Sequence, residues 1–303
     1  MSKKMFIIDG NSLVHRAFHA LPPFKTKDGE LVNAVYGFYS ILINIFSTMT
    51  PNYVVVSFDV AKKTFRHNEF DGYKAKRMKA PDELYEQFGR IKEILHELNI
   101  PIFEKEGFEA DDVLATISSA MKIHPDIEVF IVTSDKDALQ LVGDNTFVLS
   151  PLKGGSANIV YTETKVQEKF GLNPKQIIDL KALMGDPSDN IAGVGGIGQK
   201  TATKLLQQYK SLDGIYENID KINGAIHTKL VDDKENAYFS KRLVTLIHDV
   251  PIDFDFEKTE ITLDDLSKAT PIFEKLEFRS LINRMSKILP KKEIISPQQA
   301  SLF

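Results

Sequence analysis

Phe108-Glu109-Ala110-Asp111-Asp112 sets three carboxylates within four residues, and an apolar run (Val113, Leu114, Ile117, Met121) follows at once. This spacing predicts the first turn of a helix whose other face is buried. Acids also favour helix N-termini, where the macrodipole places partial positive charge, so capping alone accounts for one such cluster. Acids recur at four other places: Asp9 after Met5–Ile8, Asp59 after Val54–Phe58, Asp135 and Asp137 after Val129–Thr133, and Asp186 and Asp189 in the stretch Met184-Gly185-Asp186-Pro187-Ser188-Asp189-Asn190. Two unit charges about 4 Å apart repel by roughly 1 kcal/mol in water and about 4 kcal/mol at an effective dielectric of 20. A pocket gathering many carboxylates therefore requires cations, and hard divalent ions prefer oxygen ligands. The convergence fits two-metal hydrolysis of a phosphodiester, in which the ions activate water and stabilise the attacking and leaving oxygens.

The elements that must position these acids follow from apolar periodicity. Met5–Ile8, Val54–Phe58, Pro101–Phe103 and Val129–Thr133 read as short buried strands. Val32, Val35, Tyr36, Tyr39, Leu42, Ile43, Phe46 and Met49 predict an amphipathic helix, and Leu84, Phe88, Ile91, Leu95 and Leu98 predict another opened by Pro81. Strands alternating with helices predict an α/β fold: a mostly parallel central sheet flanked by helices. Ligands of open parallel sheets sit at the C-terminal strand ends, where Asp9, Asp59 and Asp135 fall. Each stretch also has a purely local reading. Asp9-Gly10-Asn11 is good turn chemistry, Ser134 and Asp135 are good helix caps, and Gly185 to Asn190 are turn formers. After about residue 160 the pattern becomes helical. His96-Glu97 begins a zinc-protease motif, but Ile100 stands where its second histidine belongs, so that motif is rejected.

Two further stretches suit phosphate. From Lys62 to Lys79 there are seven Lys/Arg and two acids with little apolar periodicity, which reads as a solvated loop or as an arm gripping phosphates, with Tyr73 able to stack on a base. Gly193-Val194-Gly195-Gly196-Ile197-Gly198-Gln199-Lys200-Thr201 permits positive φ and runs into a helix from Thr201 to Gln208. The free N–H groups at that helix start form a phosphate site, unless the stretch is a bare glycine turn. It lacks both P-loop spacing and a preceding strand.

The chain has 303 residues, no cysteine and a net charge of −4. Disulfides, zinc–thiolate sites and thiol nucleophiles are excluded. No signal peptide or membrane span is expected, so a cytoplasmic, nucleoid-associated monomer is anticipated.

The stretches IIDGNSLVHRAFHA, AVYGF, FDVAKKTFRHNEFDGYKAKR, GFEADDVLA, TSDKDALQL, GDPSDNIAGVGGIGQKTA and FEKLEFRSLI resemble, in order, the 5′-nuclease family: the 5′→3′ exonuclease domain of bacterial DNA polymerase I and the related flap endonucleases. The resemblance spans about residues 6 to 284. It implies a PIN-like core over 1–170 with a helical arch at about 60–80, a helical DNA-binding region over 171–289 with a helix-hairpin-helix motif at about 190–208, and a flexible tail over 290–303. It further implies that Asp9, Asp59, Glu109, Asp111, Asp112, Asp135, Asp137, Asp186 and Asp189 hold Mg²⁺ or Mn²⁺, two or more ions, in part through waters. Tyr73, Lys74 and Arg77 would act in the arch, with the two cations stabilising the scissile phosphate. Arg66 would contact the same strand. Gly193, Gly195, Gly196, Gly198, Lys200 and Thr201 would hold duplex DNA, with K⁺ at the hairpin.

The implied activity is divalent-metal-dependent 5′→3′ exonuclease and 5′-flap endonuclease action on DNA, in replication and repair, by a stand-alone enzyme. Alternatives are a non-catalytic structure-specific nucleic-acid binder and an RNA-directed nuclease of related fold. Gln299-Ala300-Ser301-Leu302-Phe303 is similar to a bacterial sliding-clamp-binding peptide, which makes Gln299, Ser301, Leu302 and Phe303 candidate partner contacts.

Overall fold

A computed structural model describes residues 2–151 and 158–289. Six strands form one sheet: β1 (Lys3–Asp9), β2 (Tyr53–Ser57), β3 (Ile102–Phe103), β4 (Ile127–Val132), β5 (Thr146–Ser150) and β6 (Ile159–Tyr161). Their order is β3-β2-β1-β4-β5-β6. All neighbours run parallel except β5 and β6, which are antiparallel. The chain winds outward from β1 to β3, then returns to place β4 on the other side of β1. That reversal opens a crevice at the C-terminal ends of β1 and β4, where Asp9 and Asp135 stand. The last two strands were not legible in the sequence; β6 is only three residues long.

Alternation of side chains divides the core. Phe6, Ile8, Val54, Val56, Phe130 and Val132 face one side, and Met5, Ile7, Val55, Val129 and Ile131 face the other. Helices α1 (Gly10–Ala20), α2 (Asn33–Met49) and α4 (Asp82–Glu97) cover the first side, and α5 (Ala110–Ala120) covers the second. Between β2 and α4 lies the basic segment. In place of a long helical arch it holds the five-residue α3 (Phe65–Glu69) and a run of turns to Lys76.

The later helices are α6 (Glu163–Phe170), α7 (Gln176–Met184), α8 (Gln199–Tyr209), α9 (Leu212–Glu217), α10 (Ala225–Asp232), α11 (Lys234–Val244), α12 (Leu263–Ser267), α13 (Thr270–Lys275) and α14 (Arg279–Met285). Helices α6 to α11 extend the second-side core. Ile261, Leu266, Phe273, Phe278, Leu281 and Met285 cross back and join α2 in the first-side core, because their apolar faces complement its stripe. Among the described residues no helix is long and apolar enough to cross a membrane. Gln299, Ser301, Leu302 and Phe303 lie outside the described residues.

Candidate active site

The sheet edge opens into a cleft of about 1140 Å³ that gathers Asp9, Asp59, Glu109, Asp111, Asp135, Asp137 and Asp189 together with Tyr73, Lys74 and Arg77. Asp9 ends β1 and also caps α1: its Oδ1 accepts from Ser12 N–H at 2.9 Å, and its Oδ2 accepts from the Thr133 hydroxyl at 2.6 Å. Asp59 accepts from Ala110 N–H at 2.7 Å, which ties β2 to the start of α5. Capping and function therefore coincide here; the same acids order a helix start and face the cleft.

The acids divide by partner. Among the described residues, no Lys, Arg or His forms an ion pair with Asp9, Asp59, Asp111 or Asp135. Burial, reinforced by Asp59 and Asp135, pushes the Asp9 carboxyl up to about 7. Burial also raises Asp59. Asp111 is raised well above the carboxylate range by burial and then by Asp9, Asp135 and Asp59. Its Oδ1 is buried with no hydrogen-bond partner.

The other acids are held by the protein's own cations. Lys74 Nζ lies 2.6 Å from Glu109 Oε1, and Arg77 Nη2 lies 2.9 Å from Asp189 Oδ1. Lys181, on α7, pairs with both Asp137 and Asp186, the latter at 2.7 Å. Burial opposes ionisation of Asp186, but Lys181 and Ser188 together outweigh it and hold the carboxyl below its ordinary value. The arm is pinned over this half: Lys74 N–H donates to the Asp189 carbonyl at 3.0 Å, and Lys74 sits at φ +55°, a left-handed conformation.

Four expectations meet a different geometry. Arg66 is buried and turned onto protein acceptors. Its side chain is 2% exposed, and its two Nη groups fork onto Asp112 at 2.7 and 2.8 Å. Asp112 is spent on that fork and on N–H groups of Glu109 and Ile247, at 3.1 and 2.9 Å, so no lone pair faces the cleft. Removing one partner of such a buried pair costs about 3–5 kcal/mol. Tyr73 is 4% exposed and cannot stack on a base; its hydroxyl donates to Glu109 at 3.0 Å and Asp189 at 3.1 Å. Asp186 lies outside the cleft lining and faces Lys181 and Ser188.

Sequence reasoning missed Lys181 and Arg16. Arg16 lines the cleft and donates to Ser134 Oγ at 3.2 Å. No local pattern in the sequence marks what either side chain touches.

The glycine hairpin joins α7 to α8. Gly193 at φ +66° is required, since a Cβ there would lie 2.2 Å from Gly185 N. Gly195, Gly196, Gly198 and Lys200 are exposed, while Gly193 is buried and Thr201 half-buried. Helix α8 starts at Gln199, two residues earlier than expected. Ahead of that helix start, two hairpin N–H groups are already taken. Gly193 N–H donates to Ser240 Oγ at 3.1 Å, and Gly195 N–H donates to Asp233 Oδ2 at 2.7 Å.

The acids that converge in the cleft offer oxygen donors, which suits a hard divalent ion, and His15 and His19 also line it. Among the described residues no group of three His, Asp or Glu is drawn together as a finished cage. Like charges spread when nothing neutralises them, and half of these are held by lysine and arginine. The partnerless Asp111 Oδ1 and the raised Asp9 nevertheless fit a bound dication.

Family models for 5′-3′ exonucleases match the chain: an N-terminal resolvase-like domain over residues 4–171 and a C-terminal SAM fold over residues 172–267. Among curated relatives, DNA polymerase I of Bacillus subtilis is 42% identical over 284 residues, covering 93% of this chain and 32% of that protein. DNA polymerase I of Caldicellulosiruptor bescii is 41% identical over 284 residues, covering 93% of this chain and 33% of that protein. The chain thus spans about a third of the length of these relatives. Among solved structures, the T5 D15 protein co-crystallised with metal ions has a TM-score of 0.65 at 23% identity, covering 95% of this chain and 100% of that one. Flap endonuclease-1 from Methanococcus jannaschii has a TM-score of 0.58 at 18% identity, covering 95% and 92%. At these identities the structural likeness concerns the fold.

Proposed function

We propose a specific activity from a fixed premise: this chain belongs to the 5′-3′ exonuclease family. It is a divalent-metal-dependent 5′→3′ exonuclease and 5′-flap endonuclease that hydrolyses phosphodiesters of DNA in replication and repair. The observation that supports this most is the uncompensated half of the cleft, where Asp9, Asp59, Asp111 and Asp135 converge without a cation.

Asp9, Asp59, Asp111 and Asp135 would hold one Mg²⁺ or Mn²⁺, and Glu109, Asp137 and Asp189 would serve a second as Lys74, Lys181 and Arg77 yield them, with Asp186 behind them on Lys181. Bound dications supply an activated water and charge neutralisation at the phosphate oxygens. Ser12 and Thr133 fix Asp9, and Ala110 N–H fixes Asp59, so these carboxylates stay in place before substrate arrives. Lys74 and Arg77, at the arm side of the cleft, carry the positive charge that meets the scissile phosphate. Tyr73 orients Glu109 and Asp189 through its hydroxyl.

The core over 1–170, with Asp189 and Lys181 from the following helical region, performs the chemistry, and the hairpin with Lys200 and Thr201 holds the duplex backbone without reading bases, with K⁺ as its counter-ion. The terminal Gln299, Ser301, Leu302 and Phe303 dock a sliding clamp, which deleting Ser301 to Phe303 is expected to abolish. A 5′-flap duplex incubated with the protein and Mg²⁺ should be cut near the junction, and EDTA should stop it. Binding without cleavage in Mg²⁺ or Mn²⁺ leaves only a structure-specific binder.

A further inference from the structure

Helix α11 touches the glycine hairpin near its start and three acid-bearing segments at its end. Just before the start, Asp233 accepts the Gly195 N–H at 2.7 Å, and past the middle of the helix Ser240 Oγ accepts the Gly193 N–H at 3.1 Å. At the end, Arg66 Nε donates to the Leu243 carbonyl at 2.7 Å and Nη2 to the Thr245 carbonyl at 3.1 Å. The Gln140 amide donates to the intervening Val244 carbonyl at 3.1 Å and accepts from Leu246 N–H at 3.1 Å, binding α11 to the segment after Asp137. The same Arg66 guanidinium forks onto Asp112 and reaches Glu109 at 3.3 Å, binding α11 to the acidic start of α5. Leu243 and Val244 pack with Tyr73 and Ile191 in a small separate core, which adds the arm and the loop carrying Asp189.

An eleven-residue helix is about 16 Å long at 1.5 Å per residue, so a single rigid element spans from the hairpin to the acids. Its last carbonyls, which a helix leaves without internal partners, are taken by Arg66 and Gln140, so the end is fixed in position and not frayed. Arg66 lies at the cleft wall with a side chain only 2% exposed, and its Nε and both Nη groups donate to protein acceptors, so its role is exerted through others. We propose that Arg66 is a positioning residue and that, with α11, it couples duplex seated on the hairpin to the placement of Glu109, so that duplex engagement raises the rate of cleavage.

This rests on the nuclease reading above. The test compares two substrates in Mg²⁺: a 5′-flap duplex long enough to reach the hairpin, and a single-stranded oligonucleotide of the same 5′ sequence that offers no duplex to it. For the parent, Arg66→Lys, Ser240→Ala and the double variant, kcat and KM are measured on both. Arg66→Lys keeps the charge and loses the fork; circular dichroism and Tm confirm that each variant is folded at the assay temperature. The ratio of flap to single-strand kcat is expected to fall about tenfold in Arg66→Lys and to fall in Ser240→Ala. The double variant is expected to match Arg66→Lys alone, since both act along one connection. A merely structural Arg66 slows both substrates by one factor and leaves the ratio unchanged; that result overturns the coupling, as do effects of the two substitutions that multiply independently. A parent that cuts neither substrate refutes the nuclease reading instead.

Discussion

The two halves of one acidic cleft differ in who supplies the positive charge. On the Glu109–Asp189 side each carboxylate has a lysine or arginine of the chain against it: Lys74, Arg77, Lys181. On the Asp9–Asp111 side there is none among the described residues, and burial pushes these carboxyls toward the protonated form. Burying a charge without a partner is expensive, so a chain keeps such a cluster only where something outside it completes the charge balance. The paired half is stable alone, whereas the unpaired half is completed by what binds.

The sharpest way to break this comparison is one substitution on each side. Asp111→Asn should reduce flap cleavage on the order of 10³-fold, the upper range for losing one electrostatic stabiliser, yet raise the Tm of the metal-free protein, because it removes an unpaired buried acid. Lys74→Ala should reduce cleavage about 10²-fold and lower the metal-free Tm, by about 1–3 kcal/mol of stability, because Glu109 loses its partner. Turnover on a flap duplex and thermal melts in EDTA check both. Tm shifts of the same sign in the two variants would erase the distinction.

A smaller effect is expected from pH. Folded Asp9 holds its proton up to about 7, while an unfolded aspartate releases it near 3.9. Between those values the folded state binds more protons than the unfolded one, so this group's stabilising contribution is full at low pH and declines as pH rises through 7. Melts in EDTA should therefore show Tm falling from pH 5.5 to 8, a window above the titration of Asp186, whose depressed value acts in the opposite sense at lower pH. Asp9→Asn, which keeps a good helix cap, should flatten that slope, and so should Mg²⁺ by binding the folded state alone.

Much of the scaffold was legible. The helix at 33–49 and the strand at 53–57 follow directly from apolar spacing, within one residue at each end. Strand β4 runs Ile127–Val132 where the apolar run predicts Val129–Thr133, and the acids after it line the cleft. Helix α1 was hidden because Asp9-Gly10-Asn11 is equally good turn chemistry, and only the seated Ser12 N–H shows that Asp9 is a cap. The surroundings of Arg66 and Tyr73 were not legible: charged and aromatic residues in a basic, unpatterned stretch look solvated, and nothing local reveals that α11 comes down upon them. For Asp112, nothing local shows that Arg66 forks onto it.

The amino-acid sequence by itself determined the period of the elements, the acids at strand ends, the glycine hairpin and the exclusion of thiol chemistry, because each depends on neighbours a few positions apart. Only the tertiary structure decided which acids are neutralised. Lys181 joins Asp137 to Asp186 across the two halves of the chain, and Arg66 closes on Asp112 and on carbonyls of Leu243 and Thr245. Charge pairing is set by distance through space, and chain spacing carries no record of it.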